Sequence, residues 1–237
     1  MASASAPPPI DLADLGRGPW GTFLHGPSRA VLQRCAYALA LASDPRPTWI
    51  EICERGTAPD TEGPASLGWI PDDHLFFVHP TDARPENGIA NLALTGLVRS
   101  DEPTAVLAEI TDFLRLPSIV QDAMSRLPGG PERSAFVVAN TDKVRSYYPS
   151  EAGGIRPIVD AMVRANALPI FAAVGPPGAG RWAFDFVLEV RAPDLARWRQ
   201  GTLVCEQAPT GTSLPIGVPV PLPTVPGLAG PLDRARN

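Results

Sequence analysis

Two rhythms of apolar residues organise this chain: short runs with little polar alternation, and longer stretches in which apolar positions recur at helical spacing. The first run, 20–25, predicts a strand. It leads through Gly26-Pro27-Ser28 into a helix over 28–42, with Val31, Leu32, Cys35, Leu39 and Ala42 on one face and Ser28 as N-cap. A second strand is expected at 48–53 (TWIEIC). A Gly/Pro/Asp loop follows over 55–72, with a short turn near Leu67. A third strand, 74–78, is ended by Pro80, and a second loop covers 79–88. Residues 102–126 carry helical periodicity in two pieces, broken before Pro117. The run 134–139 (SAFVVA) has no polar face, as expected of a strand covered on both sides. A helix at 153–166 and a strand at 168–174 complete the alternation. Segments 182–190, 201–206 and 214–218 then follow with only turns between them, which predicts an antiparallel extension. The expected class is α/β, three layers, with a mostly parallel central sheet and an antiparallel C-terminal extension.

Composition narrows the picture. The chain has 237 residues, of which 44% are hydrophobic and 19% charged, values that suit one sizeable core. Residues 1–14 are expected to be disordered, 15–218 to form a single domain, and the Pro-rich 219–237 to lie as an extended tail. A formal net charge of −5 argues against a sequence-independent grip on nucleic acid. Lys143 is the single lysine, so nearly all positive charge is arginine. Cys35, Cys53 and Cys205 are odd in number and widely spaced, which suits reduced thiols rather than a disulfide framework or zinc site. MASASAPPPID lacks the pattern of a secretory signal, and no apolar run reaches membrane-spanning length. A cytoplasmic location is expected.

The segment WGTFLHGPSRAVLQRCAYALALA (20–42) has the strand–loop–helix order of a phosphate-binding loop. That motif needs Gly, Lys and Ser or Thr where this chain has Val31, Leu32 and Gln33. The cation and the magnesium-binding hydroxyl are both missing. What remains is Gly26, with Ser28 and Arg29 as a residual anion site at a helix N-terminus.

In element order over roughly 15–218, the chain resembles the RecA/KaiC-like P-loop ATPase superfamily, as a degenerate member. The resemblance implies an acidic pair after the second strand. Here WIEICERG places Glu54 at the second acid and Cys53 at the first. It also implies a Walker B Asp ending the fourth strand. AFVVANTD places Asn140 there, with Asp142 two residues on. An amide is a poorer ligand for Mg²⁺ than a carboxylate. The substitutions together point to lost hydrolytic machinery, because phosphoryl transfer depends on positioning and charge neutralisation. No bound cofactor is expected. ATP with Mg²⁺ belongs to a second reading.

Other residues invite chemistry. GPPGAGRW (175–182) nearly satisfies the P-loop pattern through Gly175 and Gly180, with Arg181 in place of Lys. It precedes an aromatic, β-branched strand rather than a helix, so a mobile hairpin loop is expected. The resemblance makes Gly175, Gly178, Gly180 and Arg181 a contact loop. His25 ends the first strand, His74 starts the third and His79 follows it; strand ends of this fold share an edge, so His25 and His79 could approach one another. A metal site needs more ligands at tight spacing. Cys53 with Glu54 and a nearby His has the composition of a thiol nucleophile, although a cysteine ending a buried strand is more often packed. Asp142, Lys143, Arg145, Tyr147 and Tyr148 form a polar, aromatic stretch at the ligand edge of the sheet, suited to a protein contact or to packing on the neighbouring helix.

The favoured reading is a non-catalytic RecA/KaiC-like domain acting as a protein-binding, scaffolding or regulatory subunit, paired with itself or with an active relative. One alternative is a divergent nucleotide-binding ATPase using Arg29 and Glu54. Another is an accessory factor in DNA recombination or repair that binds through 175–182.

Overall fold

A computed structural model describes residues 20–44, 47–52, 75–80, 92–96, 105–106, 124–125, 134–142, 155–176, 181, 183–212 and 214–223. In chain order the elements are β1 (Thr22–Gly26), α1 (Arg29–Ser43), β2 (Thr48–Ile52), β3 (Leu75–Pro80), β4 (Leu92–Gly96), β5 (Ala105–Val106) and β6 (Ala135–Ala139). Then come α2 (Ile155–Arg164), β7 (Leu168–Val174), β8 (Phe186–Arg191), a 3₁₀ segment (Leu195–Gln200), β9 (Thr202–Gln207) and β10 (Pro219–Pro221).

These strands form one sheet in the order β10-β9-β8-β1-β7-β6-β2-β3-β4-β5. From β8 through β3 every neighbouring pair is parallel. Antiparallel pairs lie at both ends, β3–β4–β5 on one side and β8–β9–β10 on the other. The chain is thus a mixed α/β protein built on a mostly parallel sheet. Period-two alternation assigns the side chains cleanly. Leu24, Val137, Ala139, Ala172 and Leu188 face α1, together with Trp49. Phe23, Phe136, Val138, Phe171 and Val187 face α2, together with Ile50. All five residues of β1 and of β6 are buried, which explains why neither run shows polar alternation. No helix among the described residues is long and apolar enough to cross a membrane.

Three sequence expectations change. β8 pairs in parallel with β1, Thr22 opposite Phe186, so it belongs to the parallel core and the antiparallel extension begins at β9. β7 and β8 therefore do not form a hairpin. β7 and β8 flank β1 on opposite sides and run the same way, which requires a crossover. Phe184 carries that crossover over the α2 face, 4.9 Å from the Phe23 ring and 5.2 Å from Phe171. Ala105 and Val106, inside the expected helical stretch 102–126, pair as β5 with β4. A two-residue strand at an edge is decided by its neighbour and not by local periodicity. Pro219–Pro221 opens the segment expected as a tail and pairs with β9. The loop at 55–72 and residues 1–14 lie outside the described residues.

Two glycines have different reasons. A Cβ on Gly26 would stand 2.5 Å from the Val190 carbonyl oxygen, so the close approach of β1 to β8 requires glycine there. Gly175 has open space around it but a φ of +84°, so its requirement is conformational. Gly26→Ala should lower stability in urea unfolding by about 1–3 kcal/mol through forced strand displacement. Gly175→Ala should cost about 1–2 kcal/mol through backbone strain alone. Equal m-values with wild-type stability for Gly26→Ala would show that the β1–β8 separation yields freely.

Candidate functional site at the carboxyl edge of the sheet

β1, β6 and β7 are adjacent and parallel, so their C-terminal ends reach one edge together. From β1 the chain leaves into α1 on one face. From β7 it leaves into the crossover on the other. Neighbouring strands that exit to opposite faces create a crevice at their carboxyl ends, the usual ligand position in open α/β sheets. Gly26, Ser28, Arg29, Asn140, Asp142 and Gly175 all belong to this edge.

Among the described residues, several polar groups of this edge bond to one another. Arg29 Nη2 lies 3.2 Å from Asp142 Oδ2. The other oxygen of Asp142 accepts from the Val174 backbone N–H at 3.2 Å. One carboxylate therefore ties the start of α1 to the end of β7. Thr141, buried, donates from both its backbone N–H (3.0 Å) and its hydroxyl (3.1 Å) to the Ala172 carbonyl. The Gly175 N–H continues the ladder to the Gly26 carbonyl at 3.1 Å. Ser28 occupies the N-cap with extended φ/ψ but makes no side-chain cap hydrogen bond, contrary to the expectation that its hydroxyl caps the helix. Between these groups lies a cleft of about 160 Å³, open mouth included, lined by Arg29, Gln33, Asn140 and Asp142 with apolar walls from α1 and β7.

Asn140, placed by the resemblance at the Walker B position, has a φ of +62°. Asparagine enters the left-handed region more readily than other side-chain-bearing residues, which gives a local reason for an amide there. Its Nδ2 donates to Glu51 Oε1 at 3.0 Å, and Trp49 Nε1 donates to Glu51 Oε2 at 3.3 Å. Glu51 is only 4% exposed. The P-loop resemblance singles out Glu54 and assigns no role to this carboxylate. Its signal was present: a lone acid inside TWIEIC, a strand otherwise fit for burial on both faces. Glu54, Cys53, Gly178, Gly180, Lys143, Arg145, Tyr147 and Tyr148 lie outside the described residues.

Arg181, partly exposed, bonds to the end of β9. It donates from Nε to Gln207 Oε1 and from Nη2 to the Glu206 carbonyl, each at 3.2 Å, with Nη1 3.9 Å from the Glu206 carboxylate. Glu206 also meets His25 Nε2 at 3.2 Å. His25 and His79 do not approach one another. β7, β6 and β2 stand between their strands, a separation of roughly 19 Å at normal strand spacing. Among the described residues no group of three or more His, Cys, Asp and Glu side chains is placed to hold a metal ion.

Cys35 and Cys205 are buried free thiols. Burial pushes Cys35 up to about 12, and Tyr37 up to about 12 with help from the Asp44 charge. Burial likewise raises Cys205. No protein-family profile matches the chain, and no curated protein matches it in sequence.

Removing the carboxylate should matter more than removing its cation. Asp142→Ala leaves the Val174 N–H without its acceptor and should cost about 1–3 kcal/mol in chemical unfolding. Arg29→Ala, at a side chain 39% exposed, should cost at most about 1 kcal/mol. The reverse ranking would mean that the ion pair, not the backbone contact, holds the edge. Folded protein at pH 8 should leave Cys35 unmodified by a thiol reagent, as read by peptide mass mapping, and urea should expose it. The unfolded thiol ionises near pH 9 and the folded one near 12, so this contribution is complete below pH 9 and falls as pH rises toward 12. Stability that rises over that range would contradict the buried thiol.

Proposed function

We propose that the chain is a non-catalytic domain of RecA/KaiC-like kind, serving as a protein-binding, scaffolding or regulatory subunit. The observation that carries this reading is Asp142. Its carboxylate occupies both the Arg29 guanidinium and the Val174 N–H at the strand-to-helix turn where a nucleotide phosphate would sit. An anion entering there must displace a charge-assisted contact that the chain already makes. The turn also lacks the motif lysine and hydroxyl, with Leu32 buried in the core and Gln33 lining the cleft. The helix-strand order supports the likeness in kind, since α1 leaves β1 at the carboxyl edge and a crossover returns to β8 on the far side of β1. Glu51 is held by Asn140 and Trp49 beneath the cleft, so it does not stand free to activate water.

The DNA-binding reading rests on Arg181, and among the described residues that side chain already has partners. Arg181 is engaged by Glu206 and Gln207.

Millimolar Mg-ATP should raise Tm by less than about 1–2 °C and release no phosphate above background, because a ligand stabilises only in proportion to its binding to the folded state. A shift of several degrees that disappears in Arg29→Ala, or measurable turnover, would replace this reading with that of a divergent ATPase.

A further inference from the structure

β10 ends the sheet, and among the described residues no strand pairs with its outer side. Its three residues are Pro219, Val220 and Pro221, opposite Val204, Leu203 and Thr202 of β9. In an antiparallel ladder the backbone polar groups of alternate residues point to opposite sides. The Leu222 N–H donates inward to the Gly201 carbonyl at 3.3 Å. Two residues earlier, Val220 therefore also faces β9, and Pro219 and Pro221 face outward. Val220 is 1% exposed, and both prolines are exposed. The outer rim thus presents two carbonyl oxygens and no N–H.

Beside this rim lie two of the large apolar side chains that the described residues leave exposed, Ile216 (62%) and Val218 (38%). An exposed edge strand with apolar neighbours is the ordinary template for edge-to-edge pairing between identical chains. A pairing strand must both donate and accept along its length, and proline cannot donate. We infer that Pro219 and Pro221 guard the β10 edge against strand pairing with a second copy of this chain. The inference stands apart from the non-catalytic reading, because it uses no residue of the carboxyl edge.

The test replaces both prolines, Pro219→Val with Pro221→Val, which restores two outward N–H donors and raises strand propensity without touching the core. Light scattering over a concentration series should show the double variant's mass rising about twofold or more above wild type, with unchanged circular dichroism. Adding Val218→Lys to that variant should reverse the association, since an edge charge blocks pairing. A double variant with the wild-type mass at every concentration would overturn the inference. So would one that loses its dichroism without associating, because the prolines would then serve folding and not the edge.

Discussion

β1 is hydrogen-bonded on both sides, by β7 and β8, and covered on both faces, by α1 and by the layer containing α2 and Phe184. A strand so enclosed has no route to water for its backbone or side chains, so its neighbours must meet it closely and in register. Gly26 marks how close. The Val190 carbonyl occupies the space a side chain would need. Register along β1 then fixes where β7 stops, and with β6 paired to β7 it fixes where Asn140, Thr141 and Asp142 emerge. The carboxyl edge is a consequence of this enclosure.

Polar groups at that edge face a choice between internal partners and a ligand. Here the internal partners hold them. Thr141 is tied to Ala172, Asp142 to Val174 and Arg29, Asn140 to Glu51. Such contacts stabilise the turn and engage the Arg29 guanidinium and the Val174 N–H. A loop that binds phosphate keeps its amides and lysine free until ligand arrives.

Much of this was readable along the chain. β7 spans Leu168–Val174, the bounds that its apolar run implied, and α1 begins at Arg29 after the Gly26-Pro27-Ser28 break. Local signals suffice there because apolar runs, helical spacing and glycine–proline punctuation act within a few residues. Glu51 was legible too, as an acid out of place in an apolar strand, but its partner lies 89 residues away and no spacing rule joins them. The same distance problem hid the Arg29–Asp142 pair, 113 residues apart.

The sequence by itself determined the apolar runs of β1, β6 and β7, that β6 would be covered on both faces, and that the turn after β1 lacks the P-loop lysine and hydroxyl. Tertiary structure alone decided the strand order, the parallel direction of β8, the separation of His25 from His79, and the engagement of Arg181 with Glu206. It also shows a packing reason for glycine at 26, where the Val190 carbonyl fills the space a Cβ would need. The reason is common to all of these. They depend on which strand lies beside which, and that is settled by burying both faces of β1 at once rather than by any residue's own preference.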